Sequence, residues 1–292
     1  MKKYDVLVTG SAGFIGQYLC EYLASCGLRV IGIDKRSVDV DFDMIVHDLT
    51  QPLSINILAT TCIHLASSVG GILFNHSVKA DMVEYNDAIN KTVVDICKQV
   101  GCNRMIFFSS INVFESDTSF AHEKIQNQPL VTPYAKSKAL GEKLFSESFK
   151  DLVVIRPTNV FGKRQGRTHG VVGESHVIPD LIDKINSNDV VQVLGDGTQL
   201  RNFVHVMDVV RFVEKMLRVD GKHFFNLRSS LTINIAVLAV NIAKALGKDV
   251  EFRFDPSFMR YETFQIKDFD VTPAISFGWN VTVNSIADGL KI

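Results

Sequence analysis

The sequence has almost no net charge: 31 Lys and Arg stand against 32 Asp and Glu, leaving −1 over 292 residues. No global basic field is present to recruit nucleic acid or an anionic membrane, so neither is expected as a partner. The one local basic cluster, Lys163, Arg164 and Arg167, lies in a glycine-rich stretch and suits a single small anion better than a polymer. Metal-ligand spacing is missing as well. Five cysteines, Cys20, Cys26, Cys62, Cys97 and Cys102, form no C-x-x-C and no Cys/His pattern, and their number is odd. No metal and no disulfide framework is expected; a reduced cytoplasmic chain is. Long apolar runs are absent too. "MKKYDVLVTG" offers two lysines but no signal-peptide core, and "INIAVLAVNIAKAL" is broken by Asn234, Asn241 and Lys244. Neither reads as a targeting segment or a membrane span. Internal repeats and low-complexity tracts are also lacking.

What is present is an alternation. Six short apolar runs read as buried strands: "YDVLVTG", "LRVIGID", "DMIVHDL", "TTCIHLAS", "NRMIFFSS" and "DLVVIRP". Between them lie segments with helical spacing. "FIGQYLCEYLASCG" stops at Gly27, "ADMVEYNDAINKTVVDICKQVG" stops at Gly101, and "YAKSKALGEKLFSESF" precedes the last strand. Strands apolar almost throughout, separated by helices, predict an α/β fold: a Rossmann-type doubly wound parallel sheet covered on both faces. After Pro157 the rhythm changes to a glycine-rich loop, a helix from about His176 and shorter mixed segments. The expected division is a Rossmann domain over 1–156 and a smaller substrate-binding region over 157–292, partly interleaved with it.

Between the first strand and the first helix stands "VTGSAGFIGQYL", with Gly10, Gly13 and Gly16 at i, i+3 and i+6. A glycine-rich turn in that place is a candidate dinucleotide cradle. Gly10 allows the tight turn, Gly13 lets backbone approach a pyrophosphate, and Gly16 lets helix and strand pack closely. The helix start offers N–H groups and a positive dipole end to phosphate. Asp34 ends the second strand, roughly 20 residues on, where a carboxylate bonds the ribose hydroxyls of NAD and repels a 2′-phosphate. Lys35 and Arg36 follow it and are able to neutralise such a phosphate, so NADP stays open.

Tyr134 and Lys138 lie at i, i+4 at the start of a predicted helix, on one face. A lysine charge there is expected to lower the tyrosine pKa and make the phenol a usable acid and base at neutral pH. Ser110 ends the fifth strand, at the edge where ligands bind in such sheets, and its hydroxyl is placed to bond the oxygen that exchanges a proton with Tyr134. Hydride then passes between a nicotinamide and the carbon bearing that oxygen.

The glycine turn, the Ser110/Tyr134/Lys138 set, "RPTNVFG" and "RNFVHVMD" together resemble the extended short-chain dehydrogenase/reductase family, the NAD-dependent epimerases and dehydratases that modify nucleotide sugars for cell-surface glycans. The resemblance covers nearly the whole chain and implies roles by position. Ala12, Phe14, Ile15 and the three glycines line the cofactor, with Asp34 and Lys35 at its ribose. Asp48 and Leu49 flank adenine. Leu65, Ala66 and Ser67 form the strand end beside the cofactor, and Asn86 braces the site. Pro157 and Thr158 hold the nicotinamide carboxamide. Asn159 and Arg201 grip the diphosphate of the sugar nucleotide, a bidentate charged contact in the case of Arg201; a surface salt bridge is its plainer alternative. The family often pairs through helices like those at 80–100 and 134–149, so a homodimer is expected.

Two stretches, "VGGILFNHSVKADMVEYN" and "ESHVIPDLI", are similar to the branch of the family that contains GDP-fucose synthase. There the histidine of the second stretch shifts protons on the sugar, which makes His176 a substrate-site candidate; a capping or core histidine is the alternative. That branch places a cysteine base two residues after the catalytic serine, and dehydratases and decarboxylases place a glutamate there. This chain has Ile111 and Asn112, which supply no acid or base. What remains is redox at one carbon, C4 of a hexose. One reading is a 4-epimerase that keeps its NAD. The other is a 4-keto-6-deoxy sugar reductase, on a GDP-, CDP- or dTDP-linked substrate, that consumes NADH or NADPH. A non-catalytic dinucleotide sensor of the same fold is the remote third reading, disfavoured by the presence of all three catalytic residues.

Overall fold

The computed structural model describes residues 1–71, 74, 81–114, 130, 132–163, 175–261 and 269–291. Arg164, Arg167, Glu174 and the middle of the stretch from Val69 to Asn86 lie outside the described residues.

All six sequence-predicted strands form, as β1 (Lys2–Thr9), β2 (Val30–Asp34), β3 (Asp43–Val46), β4 (Ile57–His64), β5 (Arg104–Phe108) and β6 (Asp151–Pro157). They belong to one seven-stranded sheet in the order β10-β6-β5-β4-β1-β2-β3, where β10 is Lys222–Leu227. Every pairing in it is parallel. The central strands are apolar along most of their length because successive residues serve different cores. Val6, Val8, Ile106, Phe108, Val153 and Ile155 pack on one face with Leu19 and Leu23 of α1 (Phe14–Ser25) and Phe212 and Val213 of a later helix, 206–216. Leu7, Met105, Phe107, Leu152 and Val154 pack on the other with Ile89, Val93 and Ile96 of α2 (Asp81–Val100) and Phe145 of α3 (Pro133–Ser148). Each such fully buried side chain contributes about 1.5–3 kcal/mol.

The carboxyl-terminal part adds α4 (Val177–Ser187), α5 (Val206–Met216), α6 (Ile235–Leu246), the three-stranded sheet of β7 (Asn159–Phe161), β9 (Leu200–His205) and β11 (Thr232–Asn234), and a pair of β8 (Val190–Leu194) with β12 (Glu251–Asp255). These enclose a third core around Phe161, Leu181, Phe203 and Leu238. Not all of this part stays apart: β10 completes the main sheet and α5 covers one of its faces. Among the described residues no helix is long and apolar enough to cross a membrane.

In the main sheet, β1 has β2 on one side and β4 on the other, so the order in which strands are added reverses between β1 and β4. A crevice opens at such a switch point, outside the carboxyl ends of the strands. The segments after β1, β2, β4, β5 and β6 all start there, and these carry the candidate site.

Candidate active site

The turn after β1 is set by two glycines. Gly10 has φ +74°, a conformation that favours glycine. A Cβ on it would lie 2.7 Å from the Ala66 nitrogen. A Cβ on Gly16 would lie 2.2 Å from the Gly10 carbonyl oxygen, so helix α1 can pass this close to the turn only without a side chain. Gly13 is the N-cap of α1, and no side chain caps the helix there. Ala12 is buried in the turn, while Phe14 and Ile15 pack at the edge of the first core.

Asp34 is buried at the end of β2 and braces this turn. Its Oδ2 accepts from the Ala12 N–H at 3.1 Å and its Oδ1 from the Arg36 N–H at 2.9 Å. The Arg36 side chain is folded back, with Nε 3.5 Å from Asp34 Oδ1 and Nη2 donating to the Ala12 carbonyl at 2.9 Å. Lys35 is exposed, its ammonium 3.4 Å from the Tyr85 hydroxyl and 5.6 Å from the centre of that ring. The exposed Asp48 carboxylate accepts from the Thr50 N–H and hydroxyl, bonds that hold it below the usual carboxylate range. The Leu49 side chain is part of the second core. Leu65 donates its N–H to the Thr9 carbonyl at 3.0 Å, which sets the path of Ala66 and Ser67 beside Gly10. The buried Asn86 joins that path to α3: Oδ1 accepts from the Ser68 N–H, and Nδ2 donates to the Ser68 carbonyl and the Ser137 hydroxyl. The turn thus fits a dinucleotide: glycines where a Cβ would strike backbone, an uncapped helix start, and a carboxylate at its far end.

Beneath the turn lies a residue that sequence reasoning did not single out. His64 is fully buried, with Nδ1 2.6 Å from the Thr9 hydroxyl and Nε2 2.9 Å from Asn90 Oδ1. The amide oxygen accepts from Nε2–H, and Nδ1 accepts from the threonine, which is the neutral ring. Burial pushes its pKa down to about 3. Because the folded value lies below that of the unfolded chain, near 6.5, stability is full above that pH and is lost as pH falls toward 3. The loss should amount to about 1.4 kcal/mol per pH unit. Chemical denaturation between pH 7 and 4.5 checks this: His64→Gln should flatten the slope relative to wild type, and parallel slopes would remove His64 as its source.

Helix α3 begins where its sequence tells it to. The Thr132 hydroxyl caps it by accepting from the Ala135 N–H at 3.2 Å, and Pro133 takes the first position, where no N–H is needed. Tyr134 therefore sits in the first turn and Lys138 one turn on. Tyr134 lies close enough to Ser110 to feel its hydroxyl, and Ser110 Oγ accepts from the Asn112 N–H at 3.2 Å. The Lys138 ammonium donates to the Phe108 carbonyl at 3.0 Å and lies 5.8 Å from the Tyr134 ring centre. The expected lowering of the tyrosine pKa is corrected. Burial pushes the Tyr134 phenol up to about 12, with the Ser110 hydrogen bond opposing, and pushes the Lys138 ammonium down to about 8, with Glu142 opposing. Both groups lose water, and each resists its charged form. At neutral pH the phenol therefore holds its proton and is poised to give it.

At the end of β6, Pro157 and Thr158 are buried. The Thr158 hydroxyl donates to Asn202 Oδ1 at 2.8 Å, and Asn159 Nδ2 donates to the Asn202 carbonyl at 2.9 Å. Asn202 Nδ2 in turn donates to the Ser229 carbonyl and the Thr232 hydroxyl, so this buried amide, also missed from sequence, gathers β6, β9 and β11. Its only signal was its place beside Arg201. Arg201 is partly buried on β9, opposite Ile233, with Nη1 donating to the Leu200 carbonyl. His176 is the exposed N-cap of α4, and its ring makes no capping bond.

A doubly wound parallel sheet with a glycine turn at its switch point and a Ser/Tyr/Lys set beside it defines a dinucleotide-dependent redox protein. The sequence model of the NAD dependent epimerase/dehydratase family matches residues 6–227, and the chain belongs to that family. Curated relatives include a dTDP-4-dehydro-6-deoxy-D-allose reductase from Streptomyces sp, 24% identical over 86% of this chain and 84% of that protein. GDP-L-fucose synthase from Escherichia coli (strain K12) is 26% identical over 96% of this chain and 92% of its own length. Among solved structures, the UDP-glucose 4-epimerase of Thermotoga maritima with UDP-glucose shares the fold, with a TM-score of 0.81 at 22% identity over 98% and 96% of the two chains.

Proposed function

We propose that this protein is a nucleotide-sugar oxidoreductase working at C4 of a nucleotide-linked hexose, with epimerisation at that carbon as its net reaction. The observation that carries the reading is the gathering of Ser110 and Tyr134, with Lys138 one helical turn on, at the sheet edge beside the glycine turn. NAD, held by residues 10–16, Asp34, Leu65–Ser67, Asn86, Pro157 and Thr158, supplies the hydride chemistry when bound. Tyr134 exchanges the proton at the C4 oxygen. Ser110 bonds the same oxygen, and Lys138 keeps a positive charge within reach of the phenol. Asn159 and Arg201 bind the diphosphate, and Asn112 offers no base for epimerising C3 or C5.

A 4-keto sugar reductase is the second reading. It is favoured by the Tyr134 phenol, whose raised pKa suits proton donation to a ketone oxygen, and by the name of the Streptomyces relative. The five free thiols fit a cytoplasmic chain, and Leu140, 47% exposed on α3, fits a homodimer.

The test is absorbance-monitored oxidation of NADH and NADPH with GDP-, CDP- and dTDP-4-keto-6-deoxyhexoses. Stoichiometric consumption makes the protein a reductase. No consumption, with NAD co-purifying and C4 inversion of a nucleotide hexose, makes it an epimerase. No dinucleotide binding at all overturns both. Arg201→Ala should raise the sugar-nucleotide KM about ten- to a hundredfold, the weight of a charge-assisted contact, with kcat nearly unchanged. An unaltered KM takes Arg201 out of the site.

A further inference from the structure

Two opposite charges lie out of water directly behind the site. Arg156 is 1% exposed and Glu142 3%. The pair is bidentate, Arg156 Nε to Glu142 Oε1 at 2.9 Å and Nη2 to Oε2 at 2.6 Å. The guanidinium also stacks 5.0 Å from the Phe114 ring centre and 5.1 Å from that of Phe224. Glu142 Oε1 accepts a third bond, from the Ser109 hydroxyl. Burying such a pair costs desolvation that its attraction barely offsets, and apolar replacements are often as stable. Stability alone does not account for it.

Its position does. Ser109 precedes Ser110 at the end of β5. Arg156 precedes Pro157 and Thr158 at the end of β6. Glu142 follows Lys138 by one turn of α3, and Lys138 follows Tyr134 by one turn. A single carboxylate is therefore bonded to the three elements that present the serine, the cofactor-side strand end and the Tyr/Lys pair.

Resting on the proton-transfer role given above to Ser110, Tyr134 and Lys138, we propose that Glu142 is a positioning residue: its carboxylate holds Ser109, Arg156 and α3 in one register and sets a negative charge beside Lys138. The groups around Lys138 are few. Tyr134 and Glu142 face it from its own helix, Arg156 of β6 is paired to that carboxylate, and neutral His64 comes from β4. Of these only Glu142 is negative, and its charge opposes the effect of burial on the lysine.

Glu142→Gln tests this, since it keeps the shape but removes the charge and one of the two accepting oxygens. In the full-length protein with lysines labelled at Cε with carbon-13, the Lys138 titration midpoint should fall by about one pH unit. The sugar-nucleotide turnover should lose at least about tenfold in kcat, a share of what a placed acid–base group supplies, with KM held. Glu142→Asp, which keeps the charge, should restore the midpoint. A variant that only melts earlier, with its lysine midpoint and kcat unmoved, overturns the proposal and leaves a structural ion pair. If Glu142→Gln does not fold, Ser109→Ala carries the test: kcat should fall several-fold with KM held, and a wild-type kcat overturns the proposal. Absence of turnover in the wild type sinks the functional reading; an unmoved lysine midpoint, which needs no substrate, sinks this one alone.

Discussion

Tyr134→Phe should lower kcat by about three orders of magnitude while NAD binds as in the wild type. The substitution removes one oxygen, and that oxygen is the proton donor. The ring keeps its place, because the Thr132 cap, Pro133 and the rest of α3 set the helix independently of the hydroxyl. The Ser110 hydroxyl keeps its bond from the Asn112 N–H. Steady-state rates together with calorimetric NAD titration separate the two outcomes. Turnover at the wild-type level would remove Tyr134 as the acid–base group, whereas lost NAD affinity would give it a binding role instead.

Gly16→Ala should be the more damaging change to cofactor binding. Its Cβ would stand 2.2 Å from the Gly10 carbonyl oxygen and 2.9 Å from the Ser11 Cα. Both obstacles are backbone, so no side chain can swing aside. The turn must move off the helix, which costs about 1–3 kcal/mol as overpacking. That shift also displaces the Ala12 N–H that Asp34 holds. Weaker NAD binding and a lower Tm are expected together. Gly27→Ala is the control: it has φ +83° but no heavy atom within 4 Å of a Cβ, so only a backbone cost of about 1 kcal/mol applies and NAD affinity should hold. Wild-type NAD affinity in Gly16→Ala would refute the role given to the turn.

Six strands, three helices and the glycine turn were legible because each depends on local chemistry: apolar runs, glycine stops, a threonine–proline cap. The i, i+4 spacing of Tyr134 and Lys138 was legible for the same reason. The sense of the tyrosine shift was not. Spacing gives proximity of charge but says nothing of lost water, and burial won. Asn202 and His64 escaped notice because their meaning is entirely tertiary: side-chain bonds with Thr158, Ser229 and Thr232 for one, Thr9 and Asn90 for the other. Arg156 did leave a trace, a charge inside the apolar run "VVIRP", but its partner Glu142 lies on another element. The pairing of β10 with β6 was equally hidden, since Lys222 meets Leu152 across a long stretch of chain with no local signal.

That last pairing governs the order in which the molecule can be completed. As the chain leaves the ribosome, β6 is made well before its outer neighbour. Until β10 arrives, the backbone of Leu152–Pro157 is an open sheet edge, and Leu152, Val153, Val154 and Ile155 on it are apolar. An open apolar edge is a template for pairing with another chain. The carboxyl-terminal part therefore does for the nascent sheet what a chaperone does: it covers a sticky margin, and it must be synthesised before that margin is safe.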